Sequence, residues 1–271
     1  MLIVKNLVLI LSLLCVFSSS AFANSIEITS LTETVVKDRD VSSLLIGATE
    51  VQISEFMPNA KTQHQILAFF VKAGENEILF DTGLKGGNIM NELVKNGKNP
   101  DDIKIILLTH LHPDHFGGLV TGENKAAFKN AEIYISKPEY KYWLEDLKDE
   151  NIINALKLYE GHLHLFDFGD EVVEGVKAID TIGHTPGHTS FLIQAENEKL
   201  LIVGDIMHFI DIQLPVPDVA VKYDVDPEKA IQSRKFILDY ASQKEIPIAG
   251  MHIKTPGIIR VKKSGSGYEK L

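Results

Sequence analysis

From Leu44 onward the chain alternates short apolar runs with polar turns. Ile66 to Lys72 (ILAFFVK) and Glu77 to Asp81 (EILFD) flank Ala73-Gly74-Glu75-Asn76, a pattern that predicts a β-hairpin. Asn88 to Lys95 reads as a helix ending near Gly97, and Ile103 to Leu108 as a buried strand ending at Thr109-His110. Pro138 to Leu147 predicts a helix carrying Tyr140, Tyr142 and Trp143, with both Tyr140 and Trp143 read as core. The second half repeats this order. Ser190 to Gln194 and Lys199 to Val203 flank Ala195-Glu196-Asn197-Glu198, again a hairpin, and the strand again delivers an aspartate, Asp205. Pro227 to Lys244 is a helix with Ile231, Phe236, Ile237 and Tyr240 at helical spacing and Asp226 as its N-cap. Ile246 to Ala249 then forms a short strand ending at Gly250-Met251-His252. Each half therefore reads hairpin, aspartate, helix, strand, histidine. Two such halves face to face predict two sheets packed together with helices outside. Residues 24–43 are polar and weakly patterned, and read as a mobile N-terminal lead before a single domain over 44–271.

The first residues read differently. Lys5 gives a basic start, Leu7 to Phe17 is apolar, and Ser18 to Ser20 lead into Ala21-Phe22-Ala23. This is the form of a secretory signal peptide over 1–23, cleaved near Ala23, and it predicts a periplasmic or secreted protein. The apolar run falls short of the about 20 residues a spanning helix needs, and no later segment reads as a membrane span. A lipid anchor at Cys15 is the rival, disfavoured by bulky Leu14 where such signals carry a small residue. Cys15 is the only cysteine, so the chain after it can have neither disulfides nor thiolate metal ligands. A net charge of −10 with no basic run makes nucleic acid a poor partner and leaves a small molecule as the expected one.

Three of the ten histidines fall inside one short stretch, LTHLHPDHFGG over 108–118. Strand alternation points His110 and His112 the same way, Pro113 stops the ladder, and Asp114 and His115 swing round on the turn that follows. Imidazoles and a carboxylate crowded behind an apolar strand suit a divalent metal ion, with zinc first and manganese or iron as alternatives. TIGHTPGHTS over 181–190 adds His184 and His188 on a Gly/Pro loop, and Asp205 and His252 follow later strands. The count suffices for two ions: His110, His112 and His188 on one, Asp114, His115 and His252 on the other, with Asp205 as the bridging carboxylate. His184 reads as a hydrogen-bonding residue behind the ligands, and His64, His162 and His164 as ordinary histidines. His208 either lines the pocket or packs its loop. The apolar loop of Phe209, Ile210, Leu214, Pro215, Val216 and Pro217 either walls a substrate pocket, with Phe209 beside His208, or forms a contact between two copies as a homodimer.

The ordered set HxHxDH, GHTPGHT, a late Asp and a C-terminal His resembles the metallo-β-lactamase superfamily of binuclear hydrolases. The resemblance implies an α/β fold, the four-layer αββα sandwich with two mixed sheets and helices outside. It also implies that Asp81, in Asp81-Thr82-Gly83, supports the ligands from behind. The segments after Asp205 and around His252 look like the secreted branch that includes methyl parathion hydrolase and related lactonases. Three departures narrow the choice. No cysteine ligand is available, the acidic charge disfavours a nuclease, and His208 stands where short-chain acyl-homoserine lactonases typically carry a tyrosine.

The resemblance implies a hydroxide held between two ions about 3.5–4 Å apart, attacking an electrophilic carbonyl or phosphoryl centre. Asp205 holds both ions, and Asp114 carries the proton to the leaving group. A small ester, lactone or phosphotriester is the expected substrate. A β-lactam hydrolase is the alternative, although it would want a cationic pocket and Lys254 is the nearest candidate. An iron-dependent redox enzyme on the same scaffold and a metal buffer are the remaining readings.

Overall fold

Both expected hairpins form, and each sits inside a larger sheet. The computed structural model describes residues 25–271; the leader over 1–23, with Cys15, lies outside the described residues. The first half runs β1 (Ile26–Asp40), β2 (Leu45–Ile46), α1 (Glu50–Phe56), β3 (Lys61–Ala73), β4 (Asn76–Phe80) and α2 (Ile89–Lys95). It continues through β5 (Ile105–Leu107), α3 (Pro113–Phe116), β6 (Glu132–Ser136), α4 (Lys137–Tyr140), α5 (Glu150–Lys157) and β7 (Leu163–Phe166). The second half runs β8 (Glu171–Val173), β9 (Val176–Asp180), β10 (Thr189–Ala195), β11 (Glu198–Gly204), α6 (Ile210–Gln213) and β12 (Ala220–Val221). It ends with α7 (Pro227–Lys244), β13 (Ile248–Gly250), β14 (Ile258–Ile259), β15 (Val261–Ser264) and β16 (Gly267–Lys270).

The main sheets have the orders β1-β3-β4-β5-β6-β7 and β14-β13-β11-β10-β9-β8. In the first, β3 and β4 pair antiparallel, with Phe69 opposite Phe80, and β4 runs parallel to β5. The second has the same plan, with β10 and β11 antiparallel, Phe191 opposite Ile202, and β11 parallel to β13. Side chains facing inward from both sheets, including Phe69, Phe80, Leu107, Phe191, Ile202 and Met251, make the central core. Phe80 and Phe191 meet across it with ring centroids 5.5 Å apart; truncating either to alanine would cost about 3–5 kcal/mol. The outer face of the first sheet is covered by α2 and α5, through Leu93, Ile152 and Leu156. The outer face of the second is covered by α7, through Ile237, Leu238 and Ala241. This is the four-layer αββα sandwich.

Two expectations are corrected. The segment read as a mobile lead is β1, paired with β3 along most of its length. Bulges between Thr32 and Thr34 and between Val36 and Arg39 shift the register, so the apolar alternation loses phase and only Leu31 is fully buried. The buried stripe of α7 is Ala230, Arg234, Ile237, Leu238 and Ala241, while Phe236 is exposed. A buried arginine is invisible to a hydrophobic pattern. The Asp226 N-cap holds, its side chain accepting from Lys229 N. No helix among the described residues is long and apolar enough to cross a membrane.

Candidate metal centre

The strand ends of both sheets deliver the chemistry. β4 ends at Phe80, and Asp81 follows at φ 58 with its amide bound to the Leu107 carbonyl. β5 ends at Leu107, His110 and His112 follow, and Pro113 opens the one-turn helix α3 that carries Asp114 and His115. The helix packs tightly because residue 118 is glycine: a Cβ there would run into the Thr82 carbonyl. Thr82 N and Oγ1 both donate to the His115 carbonyl, at 2.7 and 2.9 Å.

The donor atoms of His110, His112, His184 and Asp205 lie within 4.8 Å of one another, as do those of Asp114, His115 and His252, and those of Asp205, His208 and His252. His112 Nδ1 is 3.0 Å from His110 Nε2 and 2.9 Å from His184 Nε2. Asp205 Oδ2 is 3.1 Å from His208 Nε2, 3.2 Å from His252 Nε2 and 3.3 Å from His184 Nε2. Asp205 Oδ1 lies 3.2 Å from His115 Nε2, yet neither atom finds a hydrogen bond of usable direction. Buried and unsatisfied, these two would be matched by one divalent cation.

The far side of each ring is held. Asp81 accepts from Thr109 N, Thr109 Oγ1 and His115 Nδ1, at 2.8, 2.8 and 2.7 Å. Because the Thr109 proton is spent on Asp81, its oxygen accepts from His110 Nδ1 at 3.0 Å, which leaves His110 Nε2 bare toward the centre. His252 Nδ1 donates to the Gln65 carbonyl at 2.7 Å, and His184 Nδ1 to Asp224 Oδ1 at 2.9 Å. Ring orientation by such partners is what metal-ligating imidazoles need. Burial holds His110 well below the usual histidine range, and burial together with His184 brings His112 to about 3. Burial opposes ionisation of Asp205, but His115, His252 and His208 win and hold its carboxyl well below the ordinary range. Burial opposes protonation of His115, His184 and His252 as well, but Asp205 outweighs it and raises all three, His184 to about 9. Metal binding would displace their protons to reach the neutral imidazoles and ionised carboxylate that hold a metal. All donors are nitrogen or oxygen, so the residues fit zinc, manganese or iron.

The structure exchanges two histidines. His184, expected behind the ligands, stands beside His110 and His112. His188, expected with them, is used elsewhere: its Nε2 accepts the Asp205 amide at 3.0 Å and its Nδ1 faces the Thr181 carbonyl at 3.0 Å. Both its nitrogens are engaged by protein, and burial lowers it to about 3. Of the two readings left open for His208, the structure places it on the cavity wall. Phe209 does not line the cavity; it packs with Val41, Met57, Ile212 and Val221. Leu214 likewise turns inward, so the apolar loop is spent on the core.

The cavity over the centre holds about 400 Å³ and is walled by Arg39, His64, Ile66, Leu84 and Tyr223 besides the candidate ligands. A larger one, about 810 Å³, opens beside the start of α7 and contains none of those ligands, so the chemistry belongs to the smaller. Arg39 Nη2 donates to Tyr223 Oη at 2.9 Å, while Lys254 is tied to Asp211 at 2.8 Å. Among the described residues, the cation lining this cavity is therefore Arg39. Sequence reasoning also missed Asp224 and Glu139, which lie in no motif. His64, read as ordinary, stacks on His252 with centroids 4.8 Å apart.

A family model for the metallo-beta-lactamase superfamily matches residues 62–245. An N-acyl homoserine lactonase of Bacillus thuringiensis is 35% identical over 167 residues, covering 59% of this chain and 59% of that protein. A probable metallo-hydrolase of Methanocaldococcus jannaschii is 29% identical over 162 residues, covering 59% of this chain and 64% of that protein. The chain thus spans about six-tenths of the length of the curated relatives it matches. Among solved structures, the dizinc quorum-quenching lactonase AidC, in complex with an N-hexanoyl-L-homoserine product, superposes with a TM-score of 0.83 at 28% identity over 92% of this chain and 95% of that one. The hydrolase AbOPH gives 0.82 at 28% identity over 91% and 94%.

Proposed function

The chain belongs to the metallo-beta-lactamase superfamily, and on that footing we propose that it is an exported, binuclear metal-dependent hydrolase that opens small lactones. The observation that supports two ions is the placement of Asp205. One of its oxygens faces His184 and His252 and the other faces His115. A single carboxylate therefore stands between the group of His110, His112 and His184 and the group of Asp114, His115 and His252. Zinc is the assigned ion, in line with the dizinc neighbour AidC. A lactone substrate is supported by the lactonase relatives, and export by the leader pattern over 1–23.

Two divalent ions, when bound, supply a water acidic enough to attack at neutral pH and polarise the carbonyl it attacks. The rest is the work of this chain's residues. Asp205 holds the two ligand groups together. Asp114 is partly open to the cavity, its Oδ2 3.6 Å from His252 Nε2 and 3.8 Å from His115 Nε2. It takes the proton of the attacking water and returns it to the ring oxygen as the alkoxide leaves. His208, on the cavity wall, orients the acyl carbonyl in place of the tyrosine usual in short-chain lactonases. Ile66 and Leu84 give an apolar side for an acyl chain, and Arg39 with Tyr223 holds an amide oxygen or a carboxylate at the mouth. Arg39 also favours a second reading, β-lactam hydrolysis, because β-lactams carry a carboxylate.

Proton release by the zinc-loaded protein over lactones, aryl esters, aryl phosphotriesters and β-lactams decides between them, with Asp205→Ala as control. Lactone turnover that disappears in the control is the expected result. Preferred turnover of β-lactams would replace the lactone reading, and no turnover with both ions bound would remove hydrolysis.

A further inference from the structure

Glu139 is a fully buried carboxylate with no cation beside it among the described residues, and each oxygen serves a different loop of the centre. Oε1 accepts from Leu111 N at 2.8 Å, between His110 and His112, and from Trp143 Nε1 at 2.7 Å. Oε2 accepts from Thr185 Oγ1 at 2.6 Å and Gly187 N at 3.0 Å, in the loop of His184. Ser136, the N-cap of α4, donates to the Gly187 carbonyl at 2.7 Å and accepts from Glu139 N at 3.2 Å. Both polar ends of Gly187 are thus read by α4, and the approach is so close that a Cβ at 187 would strike the Glu139 backbone. Trp143 reaches Glu139 from the π-helical turn Lys141–Asp146, and its ring meets His112 edge-on with centroids 5.7 Å apart. Burial pushes the Glu139 carboxyl above the usual glutamate range, and the four donors oppose it. A buried carboxylate kept without a counter-ion needs all of them.

We propose that Glu139 is a positioning residue of the metal centre: it holds the loop of His110 and His112 against the loop of His184, so that three imidazoles from two loops converge on one ion. The inference rests on the metal reading above. It implies that zinc affinity, more than folding, depends on this carboxylate. Glutamine is the discriminating substitution. Its amide oxygen can still take two donors, but its NH2 group must then face Gly187 N–H, donor against donor.

The test is zinc competition with a chromophoric chelator, alongside thermal unfolding of the metal-free protein. Glu139→Gln should keep the native circular dichroism and lose about 10–100-fold in zinc affinity, the usual loss when a group behind a ligand is removed. Tyr159→Phe is the control for plain destabilisation, because Tyr159 Oη makes buried bonds to Leu119 O and Phe128 N, away from the centre. It should lower the unfolding temperature and leave zinc affinity unchanged. If Glu139→Gln does not fold, Trp143→Phe and Thr185→Val each remove one donor from opposite oxygens, and each should weaken zinc several-fold. Unchanged affinity in the folded variants overturns the inference. Wild-type protein that binds no zinc would instead overturn the metal reading beneath it.

Discussion

His184 gives its Nδ1 to Asp224 Oδ1 at 2.9 Å, and that bond turns the ring so that Nε2 faces Asp205 Oδ2 at 3.3 Å. The other Asp224 oxygen accepts from Val221 N at 3.0 Å, and Val225 N and Asp226 N bind the carbonyls of His184 and Gly183. The carboxylate is therefore fixed from behind while it fixes the ring. Asp224→Ala should lower kcat/KM about tenfold or more at limiting zinc, as loss of a ligand-orienting carboxylate does elsewhere. A titration of activity against added zinc reads this, and a curve superposing on wild type would refute it.

The exchange of His184 and His188 can be checked by metal content. His184→Ala should retain about one zinc fewer per chain than wild type. His188→Ala should keep its zinc and lose about 1–3 kcal/mol of stability, because the buried Asp205 amide loses its acceptor. Elemental analysis after dialysis, paired with urea unfolding, separates the two; the opposite pattern would restore His188 as the ligand.

Arg39 carries a prediction about substrate. Among the described residues it has no carboxylate within ion-pair distance, and its Nη2 donates to Tyr223 Oη at 2.9 Å. Arg39→Met should raise KM about tenfold for N-acylated lactones, the equivalent of ~1.4 kcal/mol for a partly screened charged hydrogen bond, and leave kcat nearly unchanged. An unsubstituted γ-lactone, lacking the amide, should show no change. Equal effects on both substrates would mean that Arg39 acts on the wall of the cavity rather than on the ligand.

Arg234 anchors the loop that carries His208. Its Nε donates to Ile206 O at 2.7 Å and its Nη1 to Pro217 O and Val219 O at 2.8 Å. Burial lowers the guanidinium to about 10, which still leaves it charged at neutral pH. Arg234→Leu strands the buried carbonyls of Ile206 and Pro217, while Val219 O keeps Gln213 Nε2 at 3.0 Å, and should cost about 2–4 kcal/mol in urea unfolding. Lysine should not restore it, since an ammonium cannot fork to three separated acceptors. A loss under about 0.5 kcal/mol, the size of an ordinary surface change, would contradict this role.

Local pattern carried a great deal of this protein. Period-two runs placed both hairpins, period-3.6 spacing and an N-terminal Asp placed α7, and strand ends marked Asp81, His110, Asp205 and His252. The reason is that strand and helix periodicities act over a few residues, and each local choice agrees with the fold around it. Where register slipped, the signal failed. Two bulges hid β1, and a charged residue in the core stripe displaced the expected face of α7.

The sequence by itself determined the hairpin, helix and strand that recur in each half, the layered architecture they imply, and most of the residues crowded at the strand ends. Only the tertiary structure decided which of two histidines in one loop turns toward His110, that Phe209 goes to the core, and that Arg39 reaches the cavity. It alone joined Glu139 to Leu111 and Gly187, and Asp224 to His184. Those bonds link residues as much as 48 positions apart in the chain, and a hydrogen bond between distant segments has no period to betray it. It exists only once packing brings a buried polar group to the one partner that can satisfy it.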